Sequence, residues 1–342
     1  MTKPHTVITR QGRFSIRPGE VVLDAALTQG IEFPHDCRAG RCGTCTARVV
    51  SGITVGGETM QPRTVRACQA RALSDLEIEF ETLPPVKSIT ALVTRTVNLG
   101  PDVVAVEMKP SAPVGHLPGQ YCWFTFKGLP ARAFSPTEPL DRGQRPGHVL
   151  LNVKRVRNGA VSTRLGRDIC KGHQVTIEGP FGNAHHRPAH QKRLVLIGSG
   201  TGFAPVWAVA SAAIREDPWR PLVVIAAARS FRTFYMLPAL QRLAALPGKS
   251  VIATVSEGSE ETPAFFRRGR PEQHLPRLND GDLVYAAGAP EMVDAVGLAA
   301  AVAGAGFHAD PFEPSSREQN ARDQWRGWLQ PILERLPTLS AS

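Results

Sequence analysis

Apolar and polar residues alternate through the middle third of the chain, in short runs such as ITALVTRTVNL, GQYCWFTF and HVLLNVKRV. A period of two is typical of half-buried β-strands. Glycine, proline and other turn residues separate the runs. The pattern predicts an antiparallel β-barrel over residues 86–188.

The apolar runs of the last third are continuous, and helix-length stretches separate them; they include LVLIGS, PLVVIAAA, SVIATV and DLVYAAG. Continuous apolar strands are typical of a parallel sheet covered by helices on both faces. The uncharged residues 194–214 have the length of a membrane span. Their three glycines and Pro205 instead favour a strand, a turn and the start of a helix. We therefore predict a Rossmann-like domain over residues 191–314 and no membrane segment.

The first 84 residues contain a predicted hairpin, TVITRQGRFSIRP, an amphipathic helix, GEVVLDAALTQG, and the strands TARVVSG and DLEIEFET. We expect a small α+β domain here, and the prolines of TLPPVKS make a plausible linker after it. Residues 315–342 predict a C-terminal helical extension, since Trp325, Trp328 and Leu329 have helical spacing. The polar N-terminus lacks the apolar core of a secretion signal, so we expect a cytoplasmic protein.

The chain has 342 residues, which suggests two or three domains, and a formal net charge of +10. Its basic residues are scattered, with no continuous basic helix and little interleaved aromatic content, so we do not expect a nucleic-acid-binding protein. The surplus of positive charge could attract anionic cofactors or an acidic protein partner.

The stretch CRAGRCGTC holds three of the six cysteines, and a fourth follows after 22 further residues. Two short gaps and one long gap are the plant-type ligand spacing for a [2Fe-2S] cluster, in which each iron takes two thiolates. Gly40 and Gly43 would let the loop wrap closely around the cluster. A structural zinc site is the alternative, but such sites usually pair two short knuckles. The predicted ligands are Cys37, Cys42, Cys45 and Cys68.

The segment GSGTGFAP follows the first apolar strand of the last third and precedes a predicted helix. Its glycines would let the backbone approach a pyrophosphate, for which the helix N-terminus supplies N–H donors. Gly200, Thr201 and Gly202 are therefore candidate residues for binding a pyridine nucleotide.

The N-terminal domain resembles the β-grasp ferredoxin family over residues 3–83. The segments RAFS, NGAVST and GSGTGFAP, in that order, resemble the ferredoxin-NADP+ reductase family, which implies an FAD-binding barrel and an NAD(P) domain. In that resemblance Arg132 pairs with the FAD pyrophosphate, Phe134 packs on the flavin and Ser135 bonds near its reactive edge. Gly159, Ser162 and Thr163 would bring donors to the phosphates.

The same resemblance implies that Arg229 and Tyr235 lie near the adenosine and that Gly288 and Met292 lie near the nicotinamide. The family's terminal acidic and aromatic residues match Asp310 and Phe312, which together with Ser135 are the predicted catalytic residues. Relatives commonly have a cysteine where this chain has Ala287, so we expect slower or differently tuned hydride transfer. Arg232 could accept a 2′-phosphate, which favours NADPH slightly over NADH.

The order of the three modules resembles the reductase components of multicomponent oxygenases, in particular aromatic-ring dioxygenase reductases. A flavin can accept the two electrons of NAD(P)H and release them singly to a cluster. The expected function is thus electron transfer to a ferredoxin or an oxygenase component, with the electrons leaving at an exposed cluster loop. Electron supply to a deoxysugar-forming or other acceptor enzyme uses the same sites and stays open. A redox-sensing protein with little turnover is a third reading.

Overall fold

The computed structural model describes residues 3–141, 146–188, 192–257 and 262–312. Three sheets of five, six and six strands follow one another along this part of the chain, with one additional two-stranded ladder. Their order confirms the predicted sequence of a small α+β domain, an antiparallel barrel and a parallel-sheet domain. The predicted extension over residues 315–342 lies outside the described residues.

The first domain is a mixed sheet in the order β2-β1-β7-β3-β5, with a short β4-β6 ladder beside it. Strands β1 and β7 pair in parallel, so the two ends of the domain lie side by side at its centre. Leu76 and Ile78 alternate with exposed positions on β7 and enter the core. The elements are β1 His5–Thr9, β2 Gly12–Ile16, α1 Val22–Thr28, β3 Thr46–Ser51, β4 Thr54–Val55, β5 Thr64–Arg66, β6 Arg71–Ala72 and β7 Leu76–Glu79.

The second domain is an antiparallel sheet in the order β11-β10-β13-β8-β9-β12, curved toward a barrel. Strand β10, residues Tyr121–Phe126, is buried on both faces at its first four residues. Cys122 and Phe124 lie in the barrel core, and Tyr121 and Trp123 lie on the outer face. The strands are β8 Lys87–Asn98, β9 Val103–Pro110, β10 Tyr121–Phe126, β11 Arg132–Phe134, β12 Val149–Lys154 and β13 Gln174–Phe181.

The third domain is an all-parallel sheet in the order β17-β16-β15-β14-β18-β19. Apolar cores cover both of its faces, as the continuous apolar strands predict. The chain order reverses at β14, which lies between β15 and β18, and ligands bind beyond the carboxyl ends of strands at such a point. The elements are β14 Arg193–Ser199, α2 Phe203–Glu216, β15 Leu222–Ala228, α3 Leu237–Ala244, β16 Lys249–Val255, β17 Phe266–Arg268, β18 Asp282–Gly288, α4 Pro290–Val302 and β19 Gly306–Pro311.

The uncharged residues 194–214 form β14, a glycine turn and most of α2. No helix in the described ranges is long and apolar enough to cross a membrane.

Contacts between the domains fix the edges of a central cleft. The Thr137 hydroxyl of the barrel donates to the carbonyl of Ala204 at 2.7 Å, on the first turn of α2. The Gln61 amide of the first domain donates to the carbonyl of Phe307 at 3.0 Å, on β19. Arg187, just after the barrel, pairs with Glu81 at 2.7 Å, at the end of the first domain. Each domain therefore contacts another through hydrogen bonds that need specific partners.

Candidate functional site

A cavity of about 690 Å³ lies where the three domains meet. Such a volume is within the range of small-molecule and cofactor pockets, roughly 300–1,000 Å³. Ten of the predicted site residues line it, and they come from all three domains: Cys37, Cys42, Arg132, Phe134, Ser135, Gly159, Ser162, Thr201, Asp310 and Phe312. Phe312 lies at its rim, about a third exposed.

The cysteine loop is shaped by residues in the left-handed backbone region. Gly40 has φ +72° and Gly43 φ +69°, and Arg38 adopts φ 52° between the first two cysteines. A Cβ on Gly40 would lie 2.8 Å from Cγ of Gln69. The backbone N–H groups of Ala39 and Cys42 point at the Cys37 sulfur, at 3.4 and 3.3 Å. The loop thus presents backbone donors to an anionic sulfur, as a ligating thiolate requires.

The four thiols associate in two pairs. A hydrogen bond from Cys42 lowers the pKa of the Cys37 thiol to about 5 and raises that of Cys42. A hydrogen bond between Cys45 and Cys68 likewise lowers the pKa of Cys68 to about 7 and raises that of Cys45. A [2Fe-2S] cluster needs two thiolates for each iron, so this donor set fits such a cluster.

The loop is less exposed than the sequence led us to expect. Cys45 and Cys68 are buried, and Cys37 and Cys42 are partly covered. Arg38, Ala39 and Arg41 are the exposed part of the loop. Cys45 and Cys68 belong to the core of the first domain itself. The barrel domain covers the Cys42 side, where Tyr121, Trp123 and Phe181 form an aromatic group.

At the barrel side of the cavity, β11 pairs with β10 and brings Phe134 opposite Cys122. The Phe134 ring packs on the barrel core, 6.0 Å from the ring of Phe124. Arg132 lines the cavity, and its guanidinium donates to the carbonyl of Ala131 at 2.8 Å. A planar apolar wall with an arginine beside it has the character of a flavin pocket.

A polar contact on the cavity wall joins two of the predicted catalytic residues. The Ser135 hydroxyl donates to Oδ2 of Asp310 at 3.2 Å, although 175 residues separate them in the sequence. Burial raises the pKa of the Asp310 carboxyl to about 7, and the hydrogen bond from Ser135 offsets only part of that rise. Near neutral pH this carboxyl is therefore able to hold or release a proton.

The turn after β12 forms the other end of the cavity. Asn158 has φ 61°, a conformation that asparagine tolerates better than most residues. The Ser162 hydroxyl accepts the N–H of Val156 at 3.0 Å, and the Thr163 hydroxyl donates to the carbonyl of Gly159 at 2.7 Å. Ser162 is buried on the cavity, whereas Thr163 is exposed and does not line it. The two hydroxyls hold the turn in shape, with Gly159 on the cavity wall.

The glycine turn between β14 and α2 combines an open position with a closed one. Gly200 has φ +54°, and a Cβ there would meet nothing within 4 Å, so its backbone is accessible. A Cβ on Gly202 would lie 2.2 Å from the carbonyl oxygen of Ala287. The turn leads into α2, whose N-terminal N–H groups favour an anion. An accessible backbone before a 14-residue helix fits a dinucleotide pyrophosphate.

Ten predicted site residues do not line the cavity, including the buried ligands Cys45 and Cys68 and the two glycines of the turn, Gly200 and Gly202. Tyr235 is buried, and its hydroxyl donates to the carbonyl of Gly200 at 3.3 Å, so it supports the glycine turn. The exposed Arg229 pairs with Glu257 at 3.5 Å, and the exposed Arg232 lies over the ring of Phe231 at 5.6 Å. The remaining three are Thr163, Gly288 and Met292.

The end of β18 is held against the end of β14. The N–H of Ala289 donates to the Ser199 hydroxyl at 2.9 Å, and the N–H of Phe312 donates to the carbonyl of Gly288 at 2.7 Å. Ala287 and Met292 are buried beside them. These bonds tie Phe312 and the Gly288 segment to the glycine turn.

Sequence reasoning missed four residues between the cysteine loop and the cavity: Asp36, Tyr121, Trp123 and Phe181. The Asp36 carboxylate accepts a hydrogen bond from Tyr121 at 2.5 Å. Burial raises the pKa of Tyr121, and the Cys42 thiol and the Asp36 carboxylate raise it further. The available signals were the position of Asp36 directly before the first ligand and the aromatic pair in YCW.

Three family models match the chain in the order of its domains. A 2Fe-2S iron-sulfur cluster binding domain matches residues 7–73. An oxidoreductase FAD-binding domain matches residues 92–186, and an oxidoreductase NAD-binding domain matches residues 196–297. They agree with the three groups of residues described above.

Among curated proteins, the chain is 30% identical over 326 residues to the reductase component 1 of terephthalate 1,2-dioxygenase from Comamonas sp, covering 88% of this chain and 95% of the relative. It is 30% identical over 319 residues to the ferredoxin–NAD(P)(+) reductase component of the naphthalene 1,2-dioxygenase/salicylate 5-hydroxylase systems of Ralstonia sp, covering 87% and 94%. Among solved structures, the cytochrome P450 reductase GcoB from Amycolatopsis superposes with a TM-score of 0.65 at 26% identity, covering 91% of this chain and 100% of that one.

Proposed function

The chain belongs to the family of iron–sulfur flavoprotein reductases that carry electrons from NAD(P)H through FAD and a [2Fe-2S] cluster to oxygenase components, and from this premise we propose that it serves an aromatic-ring dioxygenase system. The observation that supports this proposal most is the single cavity lined by the cysteine loop, by Phe134 and Ser135 of the barrel, and by Thr201 and Asp310 of the third domain. The electron acceptor would be a ferredoxin or the oxygenase component itself.

When bound, FAD would link the nucleotide to the cluster, because a flavin takes two electrons at once and passes them on singly, which neither NAD(P)H nor a [2Fe-2S] cluster can do. In our proposal Arg132 binds its pyrophosphate as a charge-assisted donor, and the backbone around Gly159 adds N–H groups. Phe134 and the rim residue Phe312 flank the ring system and exclude water from it. The aromatic walls and the buried floor of the cavity support this assignment.

Ser135 and Asp310 would govern a proton at the reacting end of the cavity. The Ser135 hydroxyl already donates to Oδ2 of Asp310, and burial raises the pKa of this carboxyl to about 7. We propose that the neutral carboxyl is the form in which the site works, because ionisation would place a charge in a desolvated position beside the neutral Ser135 hydroxyl.

The nucleotide would bind with its pyrophosphate over Gly200 and the N-terminus of α2. We propose NADPH as the preferred donor, because Arg232 is exposed beyond the end of β15 and can offer its guanidinium to a 2′-phosphate. Arg229 would lie near the adenosine, where its guanidinium is within 3.5 Å of the carboxylate of Glu257.

Electrons would leave through the exposed part of the cysteine loop, residues 38–41. Arg38 and Arg41 give this surface positive charge, although Arg38 is paired with Asp24. An acidic partner surface would therefore be attracted to it, with a rate that falls as salt is added. A reduced nucleotide donor, and clustered cysteines that would ligate iron rather than form disulfides, support a cytoplasmic location.

A substitution of one cluster ligand tests the proposed direction of electron flow. Cys42→Ser should abolish NAD(P)H-dependent reduction of cytochrome c, which depends on the cluster, and should spare the flavin-dependent reduction of ferricyanide. Cys170→Ser is the matched control, because Cys170 is exposed and lies outside the cavity. Equal loss of both activities in Cys42→Ser, with the flavin still bound, would contradict the proposed order.

A further inference from the structure

One carboxylate joins the cysteine loop to the barrel domain. Asp36 directly precedes the first cluster ligand, Cys37. Its Oδ2 accepts a hydrogen bond from the Tyr121 hydroxyl at 2.5 Å. The indole N–H of Trp123 donates to Oδ1 and Oδ2, each at 3.2 Å. Hydrogen bonds to a charged acceptor are about twice as strong as neutral ones, so this contact is stronger than a polar contact between neutral groups.

The barrel directs both donors at the loop through the geometry of one strand. Side chains of β10 alternate between faces, so Cys122 points into the barrel core while Tyr121 and Trp123 point out of it. Both aromatic side chains are buried, at 7% and 4% exposure. Phe181 of β13 stacks on Tyr121 with ring centroids 5.8 Å apart. The donors are thus held by packing before they meet the carboxylate.

A second set of contacts surrounds the next ligands of the loop. Cys42 packs against the aromatic group of Tyr121, Trp123 and Phe181. The N–H of Gly182 donates to the buried Thr44 hydroxyl at 3.1 Å. The loop is therefore attached to the barrel at Asp36, just before Cys37, and at Thr44, just after Cys42.

The same residues also belong to the cavity. Asp36, Tyr121 and Trp123 line it together with Phe134 and Ser135 on the barrel side. Cys37 and Cys42 line the same cavity, so a group held by these two cysteines would lie beside the flavin pocket and next to the Asp36 contact. The separation of the two redox centres depends on where the loop is fixed.

We propose that Asp36, acting through Tyr121 and Trp123, is a positioning residue for electron transfer between the flavin and the cluster. This inference rests on the proposed function. NAD(P)H would supply two electrons as a hydride, and the flavin would pass them one at a time to the cluster, which would hand the first to the electron acceptor before it takes the second. No bond of Asp36 forms or breaks. The carboxylate sets the distance and orientation across which each electron moves.

Anaerobic stopped-flow reduction by NADPH tests the inference, because flavin bleaching and cluster reduction can be followed at separate wavelengths. In Asp36→Ala the flavin should bleach within about twofold of the wild-type rate, whereas cluster reduction should slow by about tenfold or more, since small misplacements have large effects on rate. Asp36→Asn, which keeps one acceptor oxygen, should recover part of the rate. The control is Glu77→Ala, which removes an exposed carboxylate from the same domain.

Tyr121→Phe is the decisive variant, since it keeps the ring on Phe181 and lies outside the cysteine loop. It should slow cluster reduction in the same direction as Asp36→Ala while the paramagnetic resonance spectrum of the dithionite-reduced cluster stays that of the wild type. Should Asp36→Ala lose its cluster, Tyr121→Phe alone decides. Wild-type rates of cluster reduction in Tyr121→Phe would overturn the inference. A wild-type protein whose cluster NADPH never reduces would instead overturn the proposed function.

Discussion

Gly202→Ala should impair the nucleotide site while leaving the flavin and cluster domains intact. Gly202 has an ordinary helical conformation, with φ −62° and ψ −14°, so alanine carries no backbone penalty there. The penalty is steric. A Cβ would lie 2.2 Å from the carbonyl oxygen of Ala287, 2.4 Å from its carbonyl carbon and 2.5 Å from Cα of Gly288.

The magnitude follows from these distances. Ordinary van der Waals contact begins at 3.4 Å, so the glycine turn and the end of β18 must move apart by about 1 Å. All three obstructing atoms are backbone atoms of a strand paired on both sides, with β14 and β19, and cannot move alone. Overpacking of this kind costs about 1–3 kcal/mol, and a misplacement of about 1 Å can lower a rate about a hundredfold.

The assay is NAD(P)H-dependent ferricyanide reduction, with the flavin and cluster spectra recorded on the same samples. Gly202→Ala should lose activity by about a hundredfold, lower the melting temperature and keep both spectra, because the two other domains are untouched. Gly200→Ala is the matched control from the same turn. It pays roughly 1–2 kcal/mol for its left-handed backbone but meets no atom within 4 Å, so it should keep more activity. If Gly202→Ala kept more than half of the wild-type activity and its melting temperature, the packing argument would be refuted.

Two further variants test the role of the Asp310 proton and the preference for NADPH over NADH. Because burial raises the pKa of Asp310 to about 7, the rate of flavin reduction should fall by about tenfold between about pH 6 and about pH 8 as the carboxyl ionises. Asp310→Asn, which is neutral throughout, should flatten that profile, and an unchanged profile would remove Asp310 from the reaction. Arg232→Gln should lower kcat/KM for NADPH by about tenfold or more through loss of a charge-assisted hydrogen bond, and leave that for NADH unchanged. Equal effects on both nucleotides would count against a 2′-phosphate contact.

The sequence predicted what depends on local spacing. The cysteine spacing predicts the four ligands Cys37, Cys42, Cys45 and Cys68, and in the structure these thiols lie together in two pairs that the sequence did not specify. The strand periods predict the three domain types, because period and continuity of apolar residues follow from which faces are buried.

Contacts between domains could not be predicted in the same way. Asp36 lies 85 residues from Tyr121 in the sequence, and no local pattern of either segment specifies the other. The same holds for the burial of Tyr235 under the glycine turn, since the sequence around a tyrosine does not show whether its ring is exposed to a ligand or supports the backbone. The cover over the Cys42 side of the loop likewise comes from barrel strands distant in sequence, which is why this side is less exposed than expected.

An anaerobic titration with NADPH and, separately, with NADH tests the central claim most directly. It should be followed by visible absorption and by electron paramagnetic resonance on the purified protein containing FAD and cluster. The account predicts that the flavin bleaches and that the signal of a reduced [2Fe-2S] cluster then appears, with NADPH the better donor. If flavin and cluster are both present and neither nucleotide reduces them at a useful rate, the claim that this chain converts electron pairs into single electrons is contradicted.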